Sequence, residues 1–225
     1  MTICIMNSMP NWMPGEEIAN AITHGVGATL AITATVFLII KAIKVKNFAV
    51  LFSNIVFGIS LIIMYSNSTL YHSIVSEPIK KIFRYGDHIS IYLLIAGSYT
   101  PFTMTILKGA TGIILTIIEW TIAVTGITLK ILFFDGFETV SLIIYIAMGW
   151  MIVFFIGKLF KNLDKKGILW LIAGGLSYTG GCYFYKNDHK IYFGHAIWHL
   201  FVLFGSFCHF MCVYFYTSNQ HLKSE

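Results

Sequence analysis

His195 and His199 stand four residues apart in Gly194-His195-Ala196-Ile197-Trp198-His199, so a helix sets both imidazoles on one face about one turn apart. They open an apolar run over 191–216. A polar pair inside hydrocarbon needs a partner, and a metal ion is one that imidazoles serve well. The pair departs from the HExxH signature, because Ala196 stands where that motif carries its glutamate, so a base has to come from another helix. His72 offers a third imidazole, with Ser68 one turn before it on the same face. Three histidines match a catalytic zinc that keeps its fourth position for water, whose pKa then falls toward ~7. Asp87 can hold that water, act as general base, or orient a histidine. Its neighbour His88 lies about 100° around the helix, so only one of the two turns inward, and Asp87 is the preferred one. The plain alternative for any single membrane histidine is a hydrogen bond to a neighbouring helix.

The elements that must bring these residues together are membrane spans. Of 225 residues, 57% are hydrophobic and only 11% charged, against about 25% charged in a soluble domain. The net charge of +5 comes from lysines gathered in short connectors rather than from a basic face, which speaks against a nucleic-acid partner. Cys4, Cys182, Cys208 and Cys212 form no CxxC and no paired framework, and three of them read as small buried hydrophobes. The first apolar run carries Asn20, Thr23 and His24 and follows no positively charged leader, so it reads as a retained span.

Seven runs have the roughly 20-residue length of a span, over 18–40, 48–71, 89–107, 111–133, 140–155, 168–185 and 191–216. Their short joints predict antiparallel neighbours in one all-α, seven-helix transmembrane bundle. Period-2 alternation is absent, so strands are not expected. The expected organisation is a short N-terminal tail over 1–17, a transmembrane domain over 18–216 and a C-terminal tail over 217–225. Seven antiparallel spans place the starts of odd helices and the ends of even ones on one side of the membrane. Glu16, Glu17, Asn20 and His24 open the first helix, and Ser68 and His72 close the second. Asp87 and His88 open the third, and His195 and His199 open the seventh. All fall in one layer. Glu17, Asn20 and His24 are therefore candidates for supporting roles, and His24 for direct metal contact or for bracing the first helix. His209 is excluded, because 14 residues of helix place it about 21 Å beyond His195. Glu119 lies well inside the fourth span, where a carboxylate is protonated, paired or lining a cavity.

Read together, Glu17-Ile18-Ala19-Asn20 with Thr23-His24-Gly25, Ser68-Thr69-Leu70-Tyr71-His72, Asp87-His88 with Ile95-Ala96-Gly97-Ser98-Tyr99-Thr100-Pro101, Gly174-Gly175-Leu176-Ser177-Tyr178, His195-x3-His199 and His209-Phe210 resemble the hemolysin III family. That family is the bacterial-type branch of the progestin and adipoQ receptor group, to which the adiponectin receptors belong. The resemblance runs from about Glu17 to Phe210. It implies a seven-helix bundle in the cell membrane, with zinc on His72, His195 and His199 and Asp87 near the zinc-bound water. It also implies hydrolysis of a lipid amide or ester, ceramidase-like, with membrane lipids as partners and Ser68 able to donate to the oxyanion. Two other readings stay open: a pore-forming cytolysin, and a ligand-sensing receptor or transporter in which zinc is structural.

Overall fold

The structure, a computed structural model, describes residues 12–217; Cys4, His221 and the outer parts of both tails lie outside the described residues. Among those residues there is no strand. Seven helices follow one another: α1 Pro14–Val45, α2 Phe48–Ser73, α3 Glu77–Leu107, α4 Gly109–Leu132, α5 Glu138–Asn162, α6 Lys165–Lys186 and α7 Gly194–Thr217. Local chemistry marks their starts. Pro14 occupies the first turn of α1 with Glu16 and Glu17 beside it, where a missing N–H costs nothing and negative charge meets the positive end of the helix. Asn47 caps α2 by accepting from the Val50 N–H at 3.2 Å, and Asp164 caps α6 by accepting from the Lys166 N–H at 2.8 Å.

Six of the seven helices are long and apolar enough to cross a membrane, and the chain is a multi-pass integral membrane protein. The expected count of seven apolar spans is met for six. The exception, α6, carries Gly174, Gly175, Ser177, Thr179, Gly180 and Gly181 in one stretch, which dilutes its hydropathy. A second difference concerns α3. It begins at Glu77 rather than near residue 89, so Asp87 and His88 sit about three turns inside it. Glu77, Lys80, Lys81 and Arg84 make those turns too polar to read as a span, yet Pro78 after Ser76 is a helix-start signal. Helix α5 is interrupted over Met151–Phe155 by a tighter 3-10 stretch, and the Tyr99 hydroxyl binds the backbone there, donating to Met148 O at 2.7 Å and accepting from the Ile152 N–H at 2.9 Å.

α1, α2 and α3 pack side by side, α7 packs on α6 and α1, and α4 and α5 lie against α3. Phe57, Leu61, Met64, Tyr65, Leu94 and Val202 form the centre of the core. Two glycines hold tight approaches. Lys108 and Gly109, both at positive φ, reverse the chain so sharply that a Cβ on Gly112 would strike the Thr103 carbonyl, a backbone atom with nowhere to go. Gly194 is confined in the same way, since a Cβ there would lie 2.9 Å from the Asp188 Cα; this close approach folds the α6–α7 loop onto the start of α7. Gly112→Ala should therefore cost about 1–3 kcal/mol and lower the melting temperature in detergent; an unchanged melt would show that the α3–α4 junction yields freely.

Candidate metal centre

Two helices bring the histidines together. His72 ends α2, while His195 and His199 occupy the first turns of α7, and one ring nitrogen from each lies within 4.8 Å of the others. All three are buried. Their other nitrogens are committed to the protein. His72 Nδ1 is 2.6 Å from Glu17 Oε2, His195 Nδ1 is 3.0 Å from Asp188 Oδ2, and His199 Nδ1 is 3.0 Å from Thr23 Oγ1. The direction of these bonds follows from the partners. Glu17 and Asp188 are carboxylates that accept, so the two imidazoles donate. The Thr23 hydroxyl already donates to the Ala19 and Asn20 carbonyls, which leaves its oxygen to accept from His199. Each ring thus carries its proton on Nδ1, and each Nε2 presents a lone pair.

None of the three Nε2 atoms has a hydrogen-bond partner among the described residues, although all are buried. Unpartnered buried nitrogens cost stability, and three that converge with lone pairs outward are the donor set a zinc-like ion takes. The residues fit a metal. Carboxylates behind ligand histidines are the usual means of fixing ring orientation and raising basicity. Glu17 is itself held by Lys80, whose Nζ donates to Oε1 at 2.7 Å.

The remaining candidates divide. His24 does not join the three; its ring stacks on His199 with centroids 3.4 Å apart and planes 11° apart, backed by Tyr65 and Trp198. Asn20, one turn earlier on the same face of α1, is fully buried with neither amide atom partnered among the described residues. Asp87 is buried beside Ser68 and within electrostatic reach of His195. Ser68 is fully buried and lines neither cavity described below. His88 packs its ring against Phe134 and lines the same polar cavity as Asp87. Glu119 is buried on α4 near Tyr99, without a partner for either carboxylate oxygen among the described residues, and α4 packs on α3 and α5 rather than on the histidine helices. His209 lies among Phe102, Tyr178 and Gly174, far down α7.

One cavity opens on the site at His195, and a second lies behind it. The first, of about 390 Å³, is lined by Trp12, Tyr71, Asp87, Asp188 and His195 with Arg84 at its edge. The other, of about 170 Å³, is almost wholly apolar and runs between α3, α5, α6 and α7 past Leu94, Tyr99 and Tyr178. They share Ile91, Leu142, Tyr185 and Trp198 as common wall.

Sequence reasoning missed Asp188 and Trp12. Asp188 sits in a connector with Lys186, His189 and Lys190, where an acid ordinarily belongs to water, and only the fold of the loop turns it back on His195. Trp12 precedes the first helix, yet its ring lies 4.4 Å from that of His195 and 5.0 Å from that of His72. A tryptophan just outside a span normally signals an interfacial anchor.

The model of one protein family, described as haemolysin-III related, matches residues 13–210. The chain is 48% identical over 202 residues to Hemolysin-3 of Bacillus cereus, covering 90% of this chain and 92% of that protein. It is 46% identical over 201 residues to the Hemolysin-3 homolog of Bacillus subtilis (strain 168), covering 89% and 94%. Monocyte to macrophage differentiation factor of Homo sapiens is 30% identical over 167 residues, 72% of this chain and 68% of its own.

Removing a bond behind a histidine should weaken metal binding without removing a ligand. Glu17→Gln and Asp188→Asn are each expected to lower zinc affinity ~10–100-fold, measured by competition with a chelator of known affinity, and Thr23→Val should act in the same direction. Unchanged affinity in all three would mean that the Nδ1 bonds do not set the donor geometry.

Proposed function

The chain belongs to the haemolysin-III-related family, and from that premise we propose that it is a seven-span, zinc-dependent hydrolase of lipid amides or esters, ceramidase-like in its chemistry. One observation carries this reading: three buried histidines with uncommitted Nε2 atoms cluster within 4.8 Å, and one of them, His195, lines a polar cavity that also bears Asp87. α6 is counted among the spans because its 22 residues reach about 33 Å, enough for a hydrocarbon core of about 30 Å.

Hydrolysis adds water across the acyl bond. The carbonyl carbon gains a hydroxyl, and the departing nitrogen or oxygen gains a hydrogen. Zinc held by His72, His195 and His199 would polarise the carbonyl and make water acidic enough to react near neutral pH. The protein's own residues do the rest. Asp87, on the cavity wall, accepts the proton that water loses and returns it to the leaving amine. Ser68, buried beside Asp87, steadies the Asp87 carboxyl. The polar cavity takes the head of an amphiphile, and the apolar one takes its chain.

A second reading, membrane lysis, draws on the printed name of the two Bacillus relatives, Hemolysin-3; it predicts liposome leakage on adding the protein, independent of the histidines. The primary test is metal content. The parent purified in detergent should hold zinc, and His195→Ala should lose most of it. Asp87→Asn should keep the zinc and lower release of fatty acid from a ceramide panel by ~10²–10⁴-fold. Absence of zinc from the parent would sink the hydrolase, and bound zinc without turnover of any lipid would leave the metal structural.

A further inference from the structure

Trp12 is not held as an interfacial anchor would be. Its indole lies across His72 and His195, with the Tyr71 ring 6.1 Å away at its edge. The residue that follows Trp12 is clamped by Glu16, which is only 9% exposed. Glu16 Oε2 accepts the Met13 N–H at 3.0 Å, and Oε1 accepts the Phe193 N–H at 3.0 Å. One carboxylate therefore ties the residue after Trp12 to the residue two before His195. The tie reaches a strained point, since Phe193 sits at φ 57°, a conformation that bulky side chains avoid. A free interfacial tryptophan needs neither a buried acid nor a strained partner. Here both serve to keep an aromatic wall on the polar cavity, against two of the three candidate metal ligands.

We propose that Trp12 is a specificity-determining residue of the metal centre: it covers His72 and His195 on the cavity side and limits which lipid head groups reach them, with Glu16 as its positioning residue. The selectivity claim rests on the hydrolase reading above, whereas the covering of the metal site does not. With the indole in place, the cavity admits a small head carrying hydroxyl groups, as in a ceramide. A bulkier phosphate-bearing head meets the indole, which lies across His72 and His195, before it reaches them. Removing the ring opens its volume and exposes the metal to solutes.

The test uses the full chain in detergent, loaded with zinc. A chelator should strip zinc from Trp12→Ala ~10-fold faster than from the parent, the loss expected when about 1.4 kcal/mol of ring packing is removed. Trp12→Phe, which keeps an aromatic face, should stay close to the parent. Glu16→Ala should speed the release as Trp12→Ala does, yet add nothing further when combined with it, because the two act through one ring. The preference for ceramide over sphingomyelin, a phosphocholine-headed sphingolipid, should fall in Trp12→Ala and be restored in Trp12→Phe. Zinc release at the parent rate in Trp12→Ala, or full additivity of the two alanine variants, would overturn the proposal. Melting temperatures distinguish a lost fold from a lost wall: if Trp12→Ala unfolds, Trp12→Phe against Glu16→Gln decides the same question by release rate. A parent that hydrolyses neither lipid sinks the hydrolase and the selectivity claim while the zinc-release rates still judge the wall. A parent that holds no zinc overturns both.

Discussion

A neutral imidazole that faces a metal with one nitrogen keeps its proton on the other, and the site is arranged so that each such N–H has an acceptor. Glu17, Asp188 and Thr23 each take an Nδ1–H, and the three Nε2 lone pairs follow without further adjustment. Two of those three acceptors come from α1, so the first helix is the template on which α2 and α7 are oriented. Its buried stripe runs Glu16, Asn20, His24, Gly27, Ala31, Thr35, Leu38 and Ala42. The spacing is helical, but the chemistry is inverted relative to a soluble amphipathic helix. Polar and small residues face inward, while Ile18, Ile22, Val26 and Leu30 face out. In lipid this is the expected inversion, because close backbone approach and interhelical hydrogen bonds hold spans together where apolar burial offers little.

Such a layer is costly. Asn20, His24 and Tyr71 add buried polar atoms without partners among the described residues to the three Nε2 atoms, and each group of this kind costs about 1–3 kcal/mol. Glu119 and His209 carry the same cost elsewhere in the bundle, but the densest group lies at the histidine end. Below it Phe57, Leu61, Met64 and Leu94 pack as an ordinary apolar core, and Tyr65, Tyr178 and Ser206 satisfy one another. The apolar core supplies packing, while the histidine end gathers polar groups that a metal, a ligand or water would satisfy. The strain at Phe193 belongs to the same end and is held by α1 through Glu16.

Much of this was legible before the fold. Parity of the spans brought His72 level with His195 and His199, and helix rise removed His209. The expectation that only one of Asp87 and His88 turns inward did not hold, since both line the polar cavity. What stayed hidden has physical reasons. The early start of α3 escaped because Glu77, Lys80, Lys81 and Arg84 lie where a helix emerges from hydrocarbon, so its polarity reports depth rather than a loop. α6 escaped as an apolar span because glycine and hydroxyl residues that suit helix contact depress hydropathy. Asp188 and Trp12 depend on how a short loop and a leading segment turn back, and no periodicity encodes that.

The junction of the two cavities constrains what the proposed chemistry can act on. Ile91, Leu142, Tyr185 and Trp198 belong to both walls, and Trp198 packs on His195 at 4.8 Å between centroids. Of the three candidate ligands, His195 lines the polar cavity, next to the wall that the two cavities share at Trp198. An amphiphile whose chain fills the apolar side and whose head fills the polar side presents one stretch of itself to the histidines, the link between head and chain. In a lipid amide or ester, that link is the acyl bond. A bond deep in the chain or far out on the head would have to pull one part into the wrong solvent, so the placement of the junction favours acyl cleavage over any reaction at the ends of the molecule.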